Sequence, residues 1–229
     1  IEGLYSDQKP SKDSDWIEIL SKTSLKGDSD NKFKIESKTK VNYIKLQIFP
    51  DGGVARLRLF GEVKFDWDIY NNKKDLIELS SLKLGGSIIA YNNAHYGDVS
   101  ALLSHGRGKT MGDGWETRRR REPGNDWIII KLATKGLIKK IEIDTAHFKG
   151  NYPDQASVQV SNFDKNKGLE EVINDSHNWK YILDKSKLQA DNIHNYEVND
   201  TTIKDVTHVR LNIYPDGGVS RLRIFGLKL

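Results

Sequence analysis

No cysteine occurs among the 229 residues, which rules out a disulfide framework, a thiol nucleophile and a thiolate metal site. The absence fits a reducing compartment, and a cytoplasmic location is the expectation. No apolar run approaches the length needed to cross a bilayer, so no membrane partner is expected. The chain opens Ile1-Glu2-Gly3-Leu4-Tyr5, with neither an initiator Met nor the basic-then-apolar pattern of an export signal. Charge of one sign is only mildly in excess. The formal net charge of +4 and pI near 9.0 come largely from Lys residues scattered along the chain, a weak basis for nucleic-acid binding. Hydrophobic residues make up 37% and charged residues 30%, a balance that can build a core and does not imply disorder.

What the chain does contain is a repeat. Residues 48–61 read IFPDGGVARLRLFG and residues 213–226 read IYPDGGVSRLRIFG, with 11 of 14 positions identical and an offset of 165 residues. Upstream, Asp15-Trp16 followed by Ile19-Leu20 parallels Asn178-Trp179 followed by Ile182-Leu183, and residues 43–47 parallel residues 208–212. Residues 1–61 therefore correspond to the tail of one unit, 62–75 read as a linker, and 76–229 as a second unit. With repeats of equal length, about 104 residues of the first unit are expected to be lacking from this chain. A part-repeat without its partner strands cannot cover both faces of its sheet.

The second unit reads as short strands. Asp126 to Leu132 is a continuous, β-branched apolar run, suited to a strand buried on both faces. Ile141 and Ile143 alternate with Lys140, Glu142 and Asp144. Ser157 to Ser161 alternates, as do Val209, Leu211 and Ile213 with His208, Arg210 and Asn212, and Leu222 and Ile224 with Arg221 and Arg223. A weak strand is read at residues 87–90 and a short helical turn at residues 167–174. Gly-, Pro- and Asn-rich breaks separate these runs. The expected fold is all-β, an antiparallel β-sandwich.

Three motifs carry candidate chemistry. GDGWETRRRREPGNDW, residues 112–127, places Asp113, Glu116 and Trp115 beside four consecutive Arg residues, in a chain otherwise dominated by Lys. A charge run is ordinarily a solvated face. Arg, however, is the planar fork that grips a carboxylate bidentately, and the neighbouring acids can orient such forks. IDTAHFKGNYPD, residues 143–154, gathers Asp144, His147, Lys149 and Asn151 at a strand end, an acid/base candidate with orienting groups. In the repeated PDGGV-x-RLR the Gly pair serves a turn. Asp51 and Asp216 are read as closing that turn, while Arg56, Arg58, Arg221 and Arg223 suit ion pairing or ligand binding equally well. No cofactor is expected. His95 and His105 leave a divalent metal open, although their spacing matches no zinc pattern.

The strings GDGWETRRRR, GNDWIIIKL, IEIDTAHFKGN and HVRLNIYPDGGVSRLRIFG, in that order, resemble the allantoicase family across residues 66–229, and residues 1–61 resemble the tail of its first repeat. The resemblance implies two jelly-roll β-sandwich repeats related to galactose-binding and discoidin-type domains. It implies a hydrolase of purine (allantoin) degradation that splits allantoate into ureidoglycolate and urea. The counterpart of the tryptophan-and-arginine motif in the first repeat has no match in this chain, so activity would be lost if both repeats contribute to one site.

The chemistry of that reaction requires a carboxylate anchor, a proton for the departing urea nitrogen and a delivered water. Arg118, Arg119 or Arg120 suit the anchor. Asp113, Glu116 or His147 suit the proton transfers, Lys149 and Asn151 the ureido oxygens, and Trp115, Arg221 and Arg223 further substrate contacts. Small-molecule allantoate is the expected partner, nucleic acid is not, and homo-oligomer formation is left open. A noncatalytic sandwich module for a sugar or other small polar ligand is the rival reading, but it does not account for acids, Arg and His concentrated together. Nucleic-acid binding needs a basic stripe, whereas the Arg run is flanked by Glu116, Glu122 and Asp126.

Overall fold

The computed structural model describes residues 1–70, 75–163, 168–200 and 202–229. Two compact units divide at Gly61 and Glu62. Unit 1 carries one small antiparallel sheet, in which β1 (Glu2–Leu4) lies between β2 (Ile17–Glu18) and β3 (Tyr43–Lys45). Residues 46–61 form no strand.

Unit 2 contains β4 (Ile77–Glu78), β5 (Ser87–Tyr91), β6 (Trp115–Glu116), β7 (Asp126–Asp144), β8 (Gln155–Ser161) and β9 (Lys180–Lys187). After these come β10 (Ile193–Glu197), β11 (Val206–Tyr214), β12 (Gly218–Val219) and β13 (Arg221–Lys228). The pairing is antiparallel throughout. The sequence reads separate strands at 126–132 and 138–144; in the structure they run together as the 19-residue β7. Its first half is flanked by β5 and β11, its second by β10 and β13. One strand thus belongs to both layers of the sandwich. The connecting residues stay extended because they too find partners: Ala133 N–H donates to Leu79, and Gly136 pairs with Val206 and Lys228.

Alternation along these strands fills the core between the layers. Ile128 and Ile130 of β7 pack with Val158 and Val160 of β8, Val209, Leu211 and Ile213 of β11, and Leu222 and Ile224 of β13. Ile129 points the other way, into a smaller cluster with Phe163, Val172 and Trp179. That second cluster explains why the run at 127–130 is apolar at every position: the short helix α1 (Leu169–Asp175) supplies Val172 as a lid on the outer face. The helical turn read at 167–174 overlaps α1, with Lys167 outside the described residues. Residues 65–70, read as part of a linker, carry Phe65, Trp67 and Tyr70 in mutual ring contact, and the last two pack against the core of unit 2. Among the described residues no helix is long and apolar enough to cross a membrane.

The repeated segment has two fates. Leu211, Ile213, Leu222 and Ile224 are fully buried against β7 and its neighbours, whereas their equivalents Leu46, Ile48, Leu57 and Leu59 are 40%, 42%, 44% and 49% exposed. No counterpart of β7 lies within residues 1–61.

His208 of β11 sits against the rings of Phe163 and Trp179, and burial, with a smaller contribution from Lys131, pushes its imidazole down to about 4. An unfolded His binds a proton near pH 6.5. Between these values the unfolded state holds more protons, so stability is lost as pH falls from 6.5 towards 4. Urea unfolding should show roughly 2 kcal/mol lower stability at pH 5 than at pH 7.5 from this residue. The loss should shrink in His208→Phe, and an equal loss in that variant would refute the assignment.

Candidate functional site

The turn at residues 215–218 organises one end of unit 2. Its two glycines let the backbone pass where no side chain fits. Gly217 has φ of 133°, and a Cβ there would stand 2.7 Å from the Asn151 carbonyl oxygen; a Cβ on Gly218 would lie 1.9 Å from the Phe148 ring. Close approach on that side lets Gly218 N–H donate to Asn151 C=O at 2.8 Å. On the other side β12 pairs with β6, Gly218 opposite Glu116 and Val219 opposite Trp115. Thr117 N–H donates to Gly217 C=O at 3.0 Å, and Gly217 N–H to Thr117 Oγ1 at 3.1 Å. The PDGG turn therefore binds the tryptophan-arginine loop and the HFKGNYPD loop into one rim.

Between these loops lies a groove of about 710 Å³. Its lining includes Arg118, Arg119 and Arg120 of the first loop, Asn151, Tyr152 and Asp154 of the second, and Glu116, Asp216, His95 and Tyr96. Tyr96 is 58% exposed and meets His95 edge-on, and the pair is tied to the rim by His95 N–H donating to Glu116 C=O at 2.8 Å. Asn151 Nδ2 donates to Glu116 Oε1 in a short contact that holds carboxylate and amide side by side.

The four arginines are not equivalent. Arg118 Nη2 donates to Glu122 Oε1 at 2.9 Å. Arg120 Nη1 stands 3.6 Å from both Glu122 Oε1 and the buried Asp126 Oδ1. The Arg121 N–H, helped by the Arg118 and Arg120 guanidinium groups, holds the Glu122 carboxyl below its usual range. Arg119 makes no ion pair among the described residues and lines the groove. Arg121 likewise makes no ion pair among the described residues, but it does not line the groove.

Other residues expected at the site serve elsewhere. Trp115 is fully buried, its indole N–H donating to Asn93 C=O at 2.8 Å, so it anchors the loop in the core rather than facing a ligand. Asp113 Oδ2 accepts from the N–H groups of Lys109 and Thr110 at 2.8 and 3.2 Å; these bonds, the Lys109 one foremost, hold its carboxyl below the usual range. His147, at φ of 71°, directs Nε2 to Gly108 C=O at 2.7 Å and does not line the groove. Lys149 is exposed and also lies outside the lining. Arg221 is buried and donates to the carbonyls of Gly106, Asp113 and Ser220. Arg223 pairs with Glu78 at 2.8 Å and Glu142 at 3.3 Å. Both strand arginines thus brace the 104–113 loops, because alternation on β13 turns them toward that layer. Among the described residues no three His, Asp or Glu side chains converge as ion ligands. Sequence reasoning missed Asn93, whose Oδ1 accepts from Arg118 N–H at 3.0 Å, and it read Asp216 as closing its own turn, whereas Asp216 Oδ2 accepts from Arg120 N–H at 2.8 Å.

A family model described as an allantoicase repeat matches residues 1–64 and 77–229. A curated relative named probable allantoicase 1, from Burkholderia mallei, is 44% identical over 220 residues, covering 96% of this chain and 65% of its own. A probable allantoicase from Rhizobium meliloti is 46% identical over 232 residues, covering 99% and 66%. The crystal structure of allantoicase from Saccharomyces cerevisiae is 34% identical with a TM-score of 0.78, covering 98% of this chain and 66% of that one. The chain spans about two thirds of the length of the relatives it matches.

Because Phe148 leaves no room at Gly218, Gly218→Ala must shift the turn or the ring. Thermal and urea unfolding should show a loss of about 1–3 kcal/mol. A melting temperature unchanged from wild type would mean that the turn is not packed as described.

Proposed function

The chain belongs to the allantoicase family, and from that premise we propose that it acts on allantoate, releasing urea and leaving ureidoglycolate. The observation that carries this reading is the meeting of Arg119, a guanidinium with no acidic partner among the described residues, and the Glu116–Asn151 pair in one groove.

Allantoate carries a carboxylate and two ureido groups on one carbon. In the proposed reaction the bond from that carbon to one ureido nitrogen breaks, water supplies the hydroxyl that takes its place, and the water's other proton ends on the departing nitrogen. Arg119 binds the carboxylate through paired charge-assisted hydrogen bonds. Asn151 fixes one oxygen of Glu116, so the second oxygen is held in the groove to take a proton from water and return it to the leaving urea. Arg118 and Arg120, committed to Glu122 and Asp126, shape the wall and add positive potential. Tyr96 offers an exposed flat ring on which a planar ureido group can rest. Asp113 and His147 are bound to loop backbone and have no part in this scheme.

Steady-state urea release from allantoate by the full-length protein tests the reading. Arg119→Ala should lower kcat/KM about 10- to 100-fold, the worth of a charge-assisted contact. Glu116→Gln should lower kcat by about 100-fold or more, and Arg118→Ala should act more weakly than Arg119→Ala. Near-normal turnover in both Arg119→Ala and Glu116→Gln would sink the site.

A further inference from the structure

We propose that Asp216 is a positioning residue for substrate binding: its carboxylate fixes the backbone beside Arg119 and so aims that guanidinium into the groove. The proposal rests on the allantoate reading above for its substrate.

The backbone of the arginine loop is pinned amide by amide. Thr117 N–H is held by the Gly217 carbonyl at 3.0 Å, Arg118 N–H by Asn93 Oδ1 at 3.0 Å, and Arg120 N–H by Asp216 Oδ2 at 2.8 Å. Arg119 is strung between the last two anchors. Its side chain is exposed and has no acidic partner among the described residues, so the backbone anchors on either side are what hold its base in place. Asp216 supplies the anchor on the C-terminal side, across 96 residues of sequence. Holding the fork in advance lowers the ordering cost of binding.

The repeat separates this task from turn formation. Gly52 and Gly217 adopt nearly the same conformation, φ of 136° and 133°, yet Asp51 accepts no hydrogen bond among the described residues and its turn is exposed. The backbone takes its shape without the aspartate's bond. What the bond adds in unit 2 is the hold on Arg120. Asp216 also lines the groove, which leaves a competing role as a proton carrier; the two roles differ in what an amide can replace, since Asn keeps an acceptor oxygen and loses the charge.

The test combines amide hydrogen exchange at Arg120 with the kinetics of urea release from allantoate, in wild type, Asp216→Ala and Asp216→Asn of the full-length protein. In Asp216→Ala, exchange at Arg120 should quicken and KM should rise about tenfold while kcat stays within about threefold. Asp216→Asn should restore most of the lost KM and the exchange protection. Unchanged exchange or unchanged KM in Asp216→Ala overturns the proposal. So does a roughly 100-fold fall of kcat in Asp216→Asn, which would make Asp216 a proton carrier. If Asp216→Ala does not fold, Asp216→Asn alone decides, protected exchange with full kcat supporting the proposal and loss of kcat overturning it. If the wild-type protein releases no urea, the functional reading fails instead; faster exchange at Arg120 then still supports the anchor and unchanged exchange still overturns it.

Discussion

The turn at residues 215–218 makes hydrogen bonds to two loops at once, and the groove depends on both sets. On one side Gly217 and Gly218 pair with Glu116 and Thr117; on the other Gly218 reaches Asn151. Neither loop has a regular ladder of its own at this end of the sandwich. Buried main-chain groups need partners, and here the turn provides them for one segment about 100 residues upstream and another about 67 residues upstream. The two glycines are required because Phe148 and the Asn151 carbonyl occupy the space a side chain would need. Packing and hydrogen bonding thus impose the same residue choice at two successive positions.

Once the rim is closed, identical side chains acquire different work. Four adjacent guanidinium groups would repel one another in an open loop, and the acids around them relieve that repulsion selectively. Glu122 takes Arg118 and shares Arg120 with Asp126. Pairs as exposed as Arg118–Glu122 add little stability, so their value is directional: they draw neighbouring charges into the wall and leave Arg119 to the groove. Among the arginines that line the groove, Arg119 alone makes no ion pair, and it shares that groove with the fixed Glu116–Asn151 pair.

Much of the framework was legible from periodicity. The alternation of Val209, Leu211 and Ile213, and of Leu222 and Ile224, puts these residues in the core, and the unbroken run at 127–130 is buried on both faces because α1 and Trp179 cover Ile129. The joining of two strands into β7 was not legible, since residues 133–137 carry no strong strand signal and stay extended through pairing with distant segments. Among the candidate site residues, Arg118, Arg119, Arg120, Glu116 and Asn151 line one groove. Trp115, Arg221 and Arg223 went to structural duty because alternation tells which residues share a face but not which face meets ligand. His147 shares a motif with Asn151 yet serves a different loop, for a bend at positive φ separates them. Sequence proximity is a poor guide to shared direction where the backbone turns that sharply.

The repeated segment gives the same lesson a physical basis. Eleven identical residues in fourteen carry nearly identical local preferences, and the turn glycines do adopt matching φ values in both copies. Strand formation and burial do not match: Leu222 and Ile224 lie buried in β13 against β7, while Leu57 and Leu59 lie in no strand and are nearly half exposed. Local sequence therefore sets the turn, and the central strand sets everything else, because apolar alternation stabilises a strand only when a partner accepts its hydrogen bonds and covers its face. The same dependence reaches the site. Asp51 and Asp216 begin from the same turn, but only Asp216 has an arginine loop held within reach by β6 and β12. The chemistry available to the motif is thus decided by the long-range pairing that delivers another loop to it.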